Sequence, residues 1–397
     1  EVWTNTPALQ VDKLADKYEW RLGEEVSYRV VVTNTTPGTV GRNVQISDMG
    51  LPAGLVLSGG GASVEILNAP SQVEYPVPDK KTGQATEIRP VETSLEADET
   101  GWNFYCSYLP YSHPVTVLFH CTATEACNGK ENVNLASAQA ENAPLVSDEA
   151  EAYVNTGGFY IEKTADHYEW QVGEQVQYQV LVENQTDGTI ARNVTIWDTS
   201  MPEGLALSGP EAVTVSGIPE SILNPVAGTP DPSSQLNPEL CQETENKPVS
   251  YEFLPEGTGW RLNISDLPAH TPVLVQFLCT VTEAVNGMES INRAMVQAEN
   301  AQTQVDDAEI YVNTAALSIE KTVQNHYLSL EDGREANEFR VGEQVEYQVV
   351  VNNLQKGSIA RNLVISDVSL PEGLALDPGE EAIGVTGIPA VILNPVA

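Results

Sequence analysis

A chain of tandem β-sandwiches is the fold this 397-residue sequence predicts. Three observations predict it: a two-residue hydrophobic period, a long internal repeat, and turn signals between the periodic runs. The period is plainest at Val176, Tyr178, Val180 and Val182, and again at Val26, Tyr28, Val30 and Val32, each alternating with polar residues. Such alternation puts one face of a strand in a core and the other in water, as in antiparallel sheets. Turn dipeptides such as Asp187-Gly188 separate the runs. No segment shows a sustained helical period with caps.

The repeat is explicit. "LGEEVSYRVVVTNTTPGTVGRNVQISDMGLPAGLVL" begins at Leu22, "VGEQVQYQVLVENQTDGTIARNVTIWDTSMPEGLAL" at Val172 and "VGEQVEYQVVVNNLQKGSIARNLVISDVSLPEGLAL" at Val341. Gly101-Trp102 matches Gly259-Trp260, and Cys121 matches Cys279. Residues 1–6, "EVWTNT", match "EAYVNT" at 151–156 and "EIYVNT" at 309–314, while "ILNPVA" at the end matches residues 222–227. The expected division is therefore a closing strand of a preceding repeat at 1–8, repeat one at 9–156, repeat two at 157–314, and a truncated repeat three at 315–397. A parent chain longer at both ends is expected. Many strands with Gly/Pro punctuation, about 150 residues per unit, indicate an all-β protein of tandem Ig-like β-sandwich domains in an elongated rod. A β-solenoid would repeat every ~20–45 residues instead.

Composition narrows the function. A hydrophobic content of 41% suffices for packed cores. The balance of 19 basic against 56 acidic residues, a net charge of −37, argues against nucleic acid or an anionic membrane as partner. No apolar run approaches the ~20 residues of a membrane span. Cys106, Cys121, Cys127, Cys241 and Cys279 form no CxxC pair or Cys/His cluster, so a structural zinc site is not expected. One or two bridges, such as Cys241 with Cys279, stay open, and the odd count leaves at least one thiol unpaired. His113, His120 and His270 lack ligand spacing. His167 and His326 have no histidine counterpart in repeat one, as expected of surface residues. Nucleophile elbow, phosphate loop, HExxH and EF-hand patterns are all missing. No cofactor or metal is expected. The acids Asp148, Glu149, Glu151, Asp306, Asp307 and Glu309 near the repeat junctions admit Ca²⁺, which needs several convergent oxygens, or simply a solvated charged face. Four N-glycosylation sequons, at Asn34, Asn184, Asn193 and Asn263, are short enough to arise by chance.

Three polar residues interrupt apolar strand faces. Lys13 follows Leu9 and Val11, Lys163 follows Phe159 and Ile161, and Lys321 follows Leu317 and Ile319, each at every second position. Asp48 shares a face with Val44 and Ile46, Asp198 with Val194 and Ile196, and Asp367 with Leu363 and Ile365. Asn134 shares a face with Ala136, Ala138 and Ala140, and Asn292 with Ala294, Val296 and Ala298. A buried lysine is rare unless paired, and each of these groups is costly to bury alone. Two outcomes follow if they converge. One is a buried Lys–Asp ion pair with Asn as hydrogen-bond partner, a weak source of stability. The other is covalent. Burial lowers the Lys pKa and raises that of Asp, the neutral amine becomes a nucleophile, and the protonated acid polarises the carboxamide and relays protons to departing ammonia. The product is a Lys–Asn amide cross-link, formed once without cofactor.

The run "EKT…VGEQVQYQVLVENQT…ARNVTIWDTSMPEGLAL…INRAMVQ" resembles the repeat domains of Gram-positive surface proteins, among them DUF11-type repeats and the fimbrial isopeptide-forming D2-type domains. The resemblance implies a spontaneous isopeptide bond between a first-strand Lys and a last-strand Asn, assisted by an acid. Carried over, Lys13 joins Asn134 with Asp48 as proton relay, and Lys163 joins Asn292 with Asp198. Lys321 and Asp367 occupy the same places in the third repeat.

The function expected is a structural one: an extracellular stalk, fibre or adhesin shaft at the cell surface or cell wall, not a turnover enzyme. Its partners would be neighbouring repeats of the same longer chain, with other copies in a filament, or a host or cell-surface ligand, as further alternatives. The competing reading is a ligand-binding adhesin module without cross-links, its site sought in the divergent stretches 69–100 and 225–258.

Overall fold

The computed structural model describes residues 3–77, 85–228, 243–324, 338–379 and 382–396. These residues hold β-strands, a few short 3-10 turns and no α-helix. Among them, no helix is long and apolar enough to cross a membrane. The chain is all-β and forms two similar sandwiches in succession.

In the first sandwich the two-residue period becomes a buried face. The strand Glu25–Asn34 buries Val26, Tyr28, Val30, Val32 and Asn34 and turns the residues between them outward. Each buried valine contributes roughly 1.5–3 kcal/mol relative to exposure. One sheet orders the opening strand Leu9–Ala15, then Glu25–Asn34, Val115–Ala123 and Leu55–Leu57, with Val64–Leu67 also on Val115–Ala123. The other orders Glu19–Trp20, the closing strand Ala143–Val154, the amide-bearing strand Lys130–Ala140, the acid-bearing strand Val40–Met49, Gly101–Pro110 and Thr93–Asp98. The two inner faces share one core, in which Trp102, Phe119, Ile46 and Val117 are essentially inaccessible.

The second sandwich repeats the plan. Phe159–Ala165, Gln175–Asn184, Val273–Val281 and Leu205–Leu207 form one sheet, with Val213–Ser216 also on Val273–Val281; Glu169–Trp170, Ala301–Val312, Glu289–Ala298, Ile190–Asp198, Gly259–Pro268 and Tyr251–Glu256 form the other. Its core is separate from the first. Each sandwich carries an extra hairpin, Gln72–Val77 with Ala85–Pro90 and Ser221–Val226 with Glu243–Pro248.

The Pro-x-Gly-Leu segment explains how the chain changes sheets directly after the acid. Leu55 N–H donates to Pro52 carbonyl at 2.9 Å and Leu205 N–H to Pro202 carbonyl at 3.0 Å, closing a tight turn. Gly54 sits at φ +98°, and a Cβ there would lie 2.5 Å from the Cys127 backbone nitrogen. Only glycine fits that turn.

Residues 315–396 depart from the plan. Leu317–Gln324 pairs with Glu346–Asn353, and no further strand follows among the described residues. The strand expected at Leu363, Ile365 and Asp367 is not formed. In the two sandwiches its counterpart lies between Gly101–Pro110 and Lys130–Ala140, or between Gly259–Pro268 and Glu289–Ala298, and among the described residues this segment has neither neighbour. Leu317 and Ile319, expected on an inward face, are 52% and 66% exposed for lack of a covering sheet. The described cysteines, Cys106, Cys121, Cys127 and Cys279, are free and buried. Cys241, the other half of the Cys241–Cys279 bridge left open by the sequence, lies outside the described residues, as does His326.

Candidate cross-linking site

Lys13 projects from the opening strand of one sheet. Asp48 and Asn134 project from adjacent strands of the other, where Ala138 stands opposite Ile46. All three are almost fully buried, at 2%, 1% and 1% exposure. Lys13 Nζ donates to Asp48 Oδ2 at 2.7 Å, and Asn134 Nδ2 donates to the same oxygen at 3.2 Å. The amine and the carboxamide thus crowd one carboxylate from opposite sheets.

The second sandwich assembles the same groups. Lys163, Asp198 and Asn292 are 3%, 1% and 0% exposed. Lys163 Nζ donates to Asp198 Oδ2. Asn292 bears on Asp198 as a hydrogen-bond partner that opposes the rise in its pKa, and its Nδ2 lies 3.5 Å from Met201 Sδ. Met201, which stands where repeat one has Leu51, also lies 3.7 Å from Cys279 Sγ.

Electrostatics push each pair toward neutrality. Burial lowers the Lys13 amine from an ordinary 10.5 to about 8, against the pull of Asp48. Burial likewise raises Asp48, with Lys13 and Asn134 opposing it. Lys163 is lowered and Asp198 raised for the same reason. Aromatic rings complete the surroundings. Lys13 Nζ lies 5.1 Å from the Tyr28 ring centre and 5.7 Å from that of Phe119; Lys163 Nζ lies 5.2 Å from both Tyr178 and Phe277. Two oxygens at each site, Asp48 Oδ1 with Asn134 Oδ1 and Asp198 Oδ1 with Asn292 Oδ1, are buried without a hydrogen-bond donor. A proton on the carboxyl group would supply one donor to that pair of acceptors.

Several contributors were not anticipated from the sequence. Asp148, on the closing strand, accepts the Lys13 backbone N–H at 2.6 Å; Asp306 accepts that of Lys163 at 2.6 Å. These two members of the junction acid run therefore pin the lysine strands across the sandwich. No group of three or more potential metal ligands occurs among the described residues. The Gly-Trp motif is also explained. A Cβ on Gly101 would lie 2.0 Å from the Asp48 carbonyl oxygen and one on Gly259 1.7 Å from that of Asp198, so glycine lets the neighbouring strand close on the acid. Trp102 and Trp260, both 0% exposed, stand directly opposite Asp48 and Asp198 in the ladder. Asn34 and Asn184, two of the sequon asparagines, are buried and donate to Thr39 and Thr189.

Two expectations are corrected. The amide does not lie on the last strand: Asn134 and Asn292 belong to Lys130–Ala140 and Glu289–Ala298, each followed by the closing strand. In the third segment Lys321 meets Asp367, but their side chains are 37% and 42% exposed, so this is a solvent-facing pair and not a buried site.

No family model matches the sequence, and no curated protein does. By architecture the chain belongs with tandem all-β sandwich proteins, and solved structures of bacterial surface proteins overlap it. One is the C-terminal domain of the Streptococcus pyogenes antigen I/II-family protein AspA, at 8% identity and TM-score 0.30 over 78% of this chain and 100% of that one. Another is the Enterococcus faecalis MSCRAMM ACE, at 14% identity and TM-score 0.23 over 76% and 94%. A third is the collagen adhesin CNA from S. aureus, at 8% identity and TM-score 0.23 over 88% and 96%.

Proposed function

We propose that the chain is part of an extracellular stalk or adhesin shaft whose sandwiches are stapled by Lys13–Asn134 and Lys163–Asn292 isopeptide bonds. The observation that carries the reading is the convergence of Lys13 Nζ and Asn134 Nδ2 on one buried Asp48 oxygen. The repeated arrangement around Asp198 supports it. With the proton on the acid, the neutral lysine amine attacks the asparagine side-chain carbonyl carbon. The aspartic acid donates toward the carbonyl oxygen, then carries the amine proton to the leaving nitrogen. The C–Nζ bond forms, the C–Nδ2 bond breaks and one ammonia departs. The amide product can no longer take up the buried lysine charge, which is a driving force in a water-poor site. Asp148 and Asp306 act as positioning residues by fixing the lysine backbone. Each repeat would occupy the division expected from the sequence, 9–156 and 157–314.

Tandem mass spectrometry of a proteolytic digest tests the chemistry. The expected product is a branched peptide joining the Lys163 and Asn292 segments, lighter by one ammonia, and its loss in Asp198→Ala. Linear peptides alone from the wild-type chain would refute it.

A further inference from the structure

We infer that the repeat ends form a built, self-matching socket that holds consecutive sandwiches in one orientation, so that the next repeat is itself a specific binding partner. The default for domains in one chain is relative motion unless the interface is extensive, so the contacts must be shown to override it. Four of them recur.

First, a buried asparagine clips the next repeat's backbone. Asn155, 0% exposed, donates to the Ile190 carbonyl at 2.9 Å and accepts the Ile190 N–H at 2.9 Å. Asn313 accepts the Ile359 N–H at 2.7 Å. Asn5 makes the same double contact with Val40, at 2.9 and 2.8 Å. Second, an aromatic donor reaches a glycine carbonyl in the next turn: Tyr153 to Gly188 at 2.7 Å, Tyr311 to Gly357 at 2.7 Å, and Trp3 to Gly38 at 3.3 Å.

Third, backbones meet glycine to glycine. A Cβ on Gly188 would lie 2.3 Å from the Gly129 carbonyl oxygen, and one on Gly357 2.2 Å from that of Gly287. No other residue permits that approach. Fourth, an arginine forks a glutamate. Arg192 donates to Glu19 at 3.2 and 2.8 Å, and Arg361 to Glu169 at 2.9 and 2.6 Å. The same carboxylates accept from the clip asparagines, Asn155 and Asn313, at 2.6 Å each. Arg192 is held from behind by the buried Asp266 at 2.8 Å. In a chain with only 19 basic residues, two are committed to these forks. Planar bidentate pairing fixes angle as well as distance.

The contact is heterologous: one end of a repeat fits the opposite end of the next. Repetition of such a contact without closure produces an open, regularly wound rod. This conclusion stands independently of the cross-links.

Pulsed electron–electron distance measurement on the full chain tests it, with keto-linked spin labels at Leu14 and Ile291, which are 46% and 51% exposed. A single narrow distance is expected for the wild type. Asn155→Ala combined with Glu19→Gln should broaden it while near-ultraviolet dichroism stays unchanged. A broad wild-type distribution would overturn the inference without reference to any variant. So would a double variant that keeps its fold and its narrow distance.

Discussion

Asn134→Ala gives the proposed staple its most direct mechanical readout. In the full chain pulled from its ends, force enters the first sandwich at Leu9 and leaves at Val154. Without a cross-link, unfolding releases the whole stretch. That is ~145 residues, or on the order of 500 Å at ~3.4 Å each. With Lys13 joined to Asn134 the intervening loop stays closed and takes no load. Only the few residues before Lys13 and the ~20 after Asn134 can extend, on the order of 80 Å. The assay is single-molecule force spectroscopy at constant pulling speed. Wild type should show no long release from either sandwich, and Asn134→Ala should restore one long release while Lys163 still guards the second sandwich. A wild-type chain that gives two long releases would refute the staple.

Two further outcomes follow from the same geometry. Asp306→Asn weakens the charge-assisted bond to the Lys163 N–H and should slow cross-linking in the second sandwich, seen as a time-resolved loss of ammonia by intact mass, while leaving the first unaffected; equal rates in both would remove Asp306 from the mechanism. In Asn134→Ala the Lys13 amine stays free, with a folded pKa of about 8 against 10.5 unfolded. Between those values the unfolded chain binds more protons, so stability should rise with pH by roughly 3 kcal/mol across the window. The wild type, its amine consumed, should lack this increment in urea titrations at pH 8 and 10.5.

The trio was legible because a strand has period two. Once Leu9, Val11 and Lys13 share a face, a polar residue on an apolar stripe is visible without knowing the fold. What joins the stripes was not. Asp148 and Asp306 read as members of an acidic run, since nothing local distinguishes a carboxylate aimed at a backbone N–H from one in water. The Gly-Trp motif was visible as a repeat, but its reason, the close approach to Asp48 and Asp198, belongs to the neighbouring strand. The socket left a signal that pattern reading passed over. Asn5, Asn155 and Asn313 hold the next-to-last place of matching motifs, Arg42, Arg192 and Arg361 precede Asn in matching Arg-Asn pairs, and Glu19 and Glu169 sit inside "YEW". Strand periodicity carries no information about contacts between sandwiches, so these residues looked like surface. The third segment failed for a different reason. Its sequence repeats the strand pattern at Leu363 and Ile365, but an alternating strand needs pairing partners and an opposite sheet, and that tertiary term outweighs propensity.

Placing the amide one strand before the end changes what the proposed staple would protect. A bond to the closing strand would shield a sandwich completely. A bond to Asn134 leaves the hairpin of Lys130–Ala140 and Ala143–Val154 in the line of force. That hairpin is reinforced on several sides. Its closing strand is paired along nearly its whole length, takes the short Glu19–Trp20 strand on its other edge, and pins Lys13 through Asp148. At its end Tyr153 and Asn155 donate to the carbonyls of Gly188 and Ile190 in the next sandwich. On the proposed reading the covalent bridge would lie on the load path, the charge-assisted Lys13–Asp148 bond would run parallel to the stretch between Asn134 and Asp148, and the polar socket would follow both. If the proposed bond is formed it would not be the first to yield under tension, and the hydrogen bonds around Asp148 and Asn155 would set the force at which the chain gives.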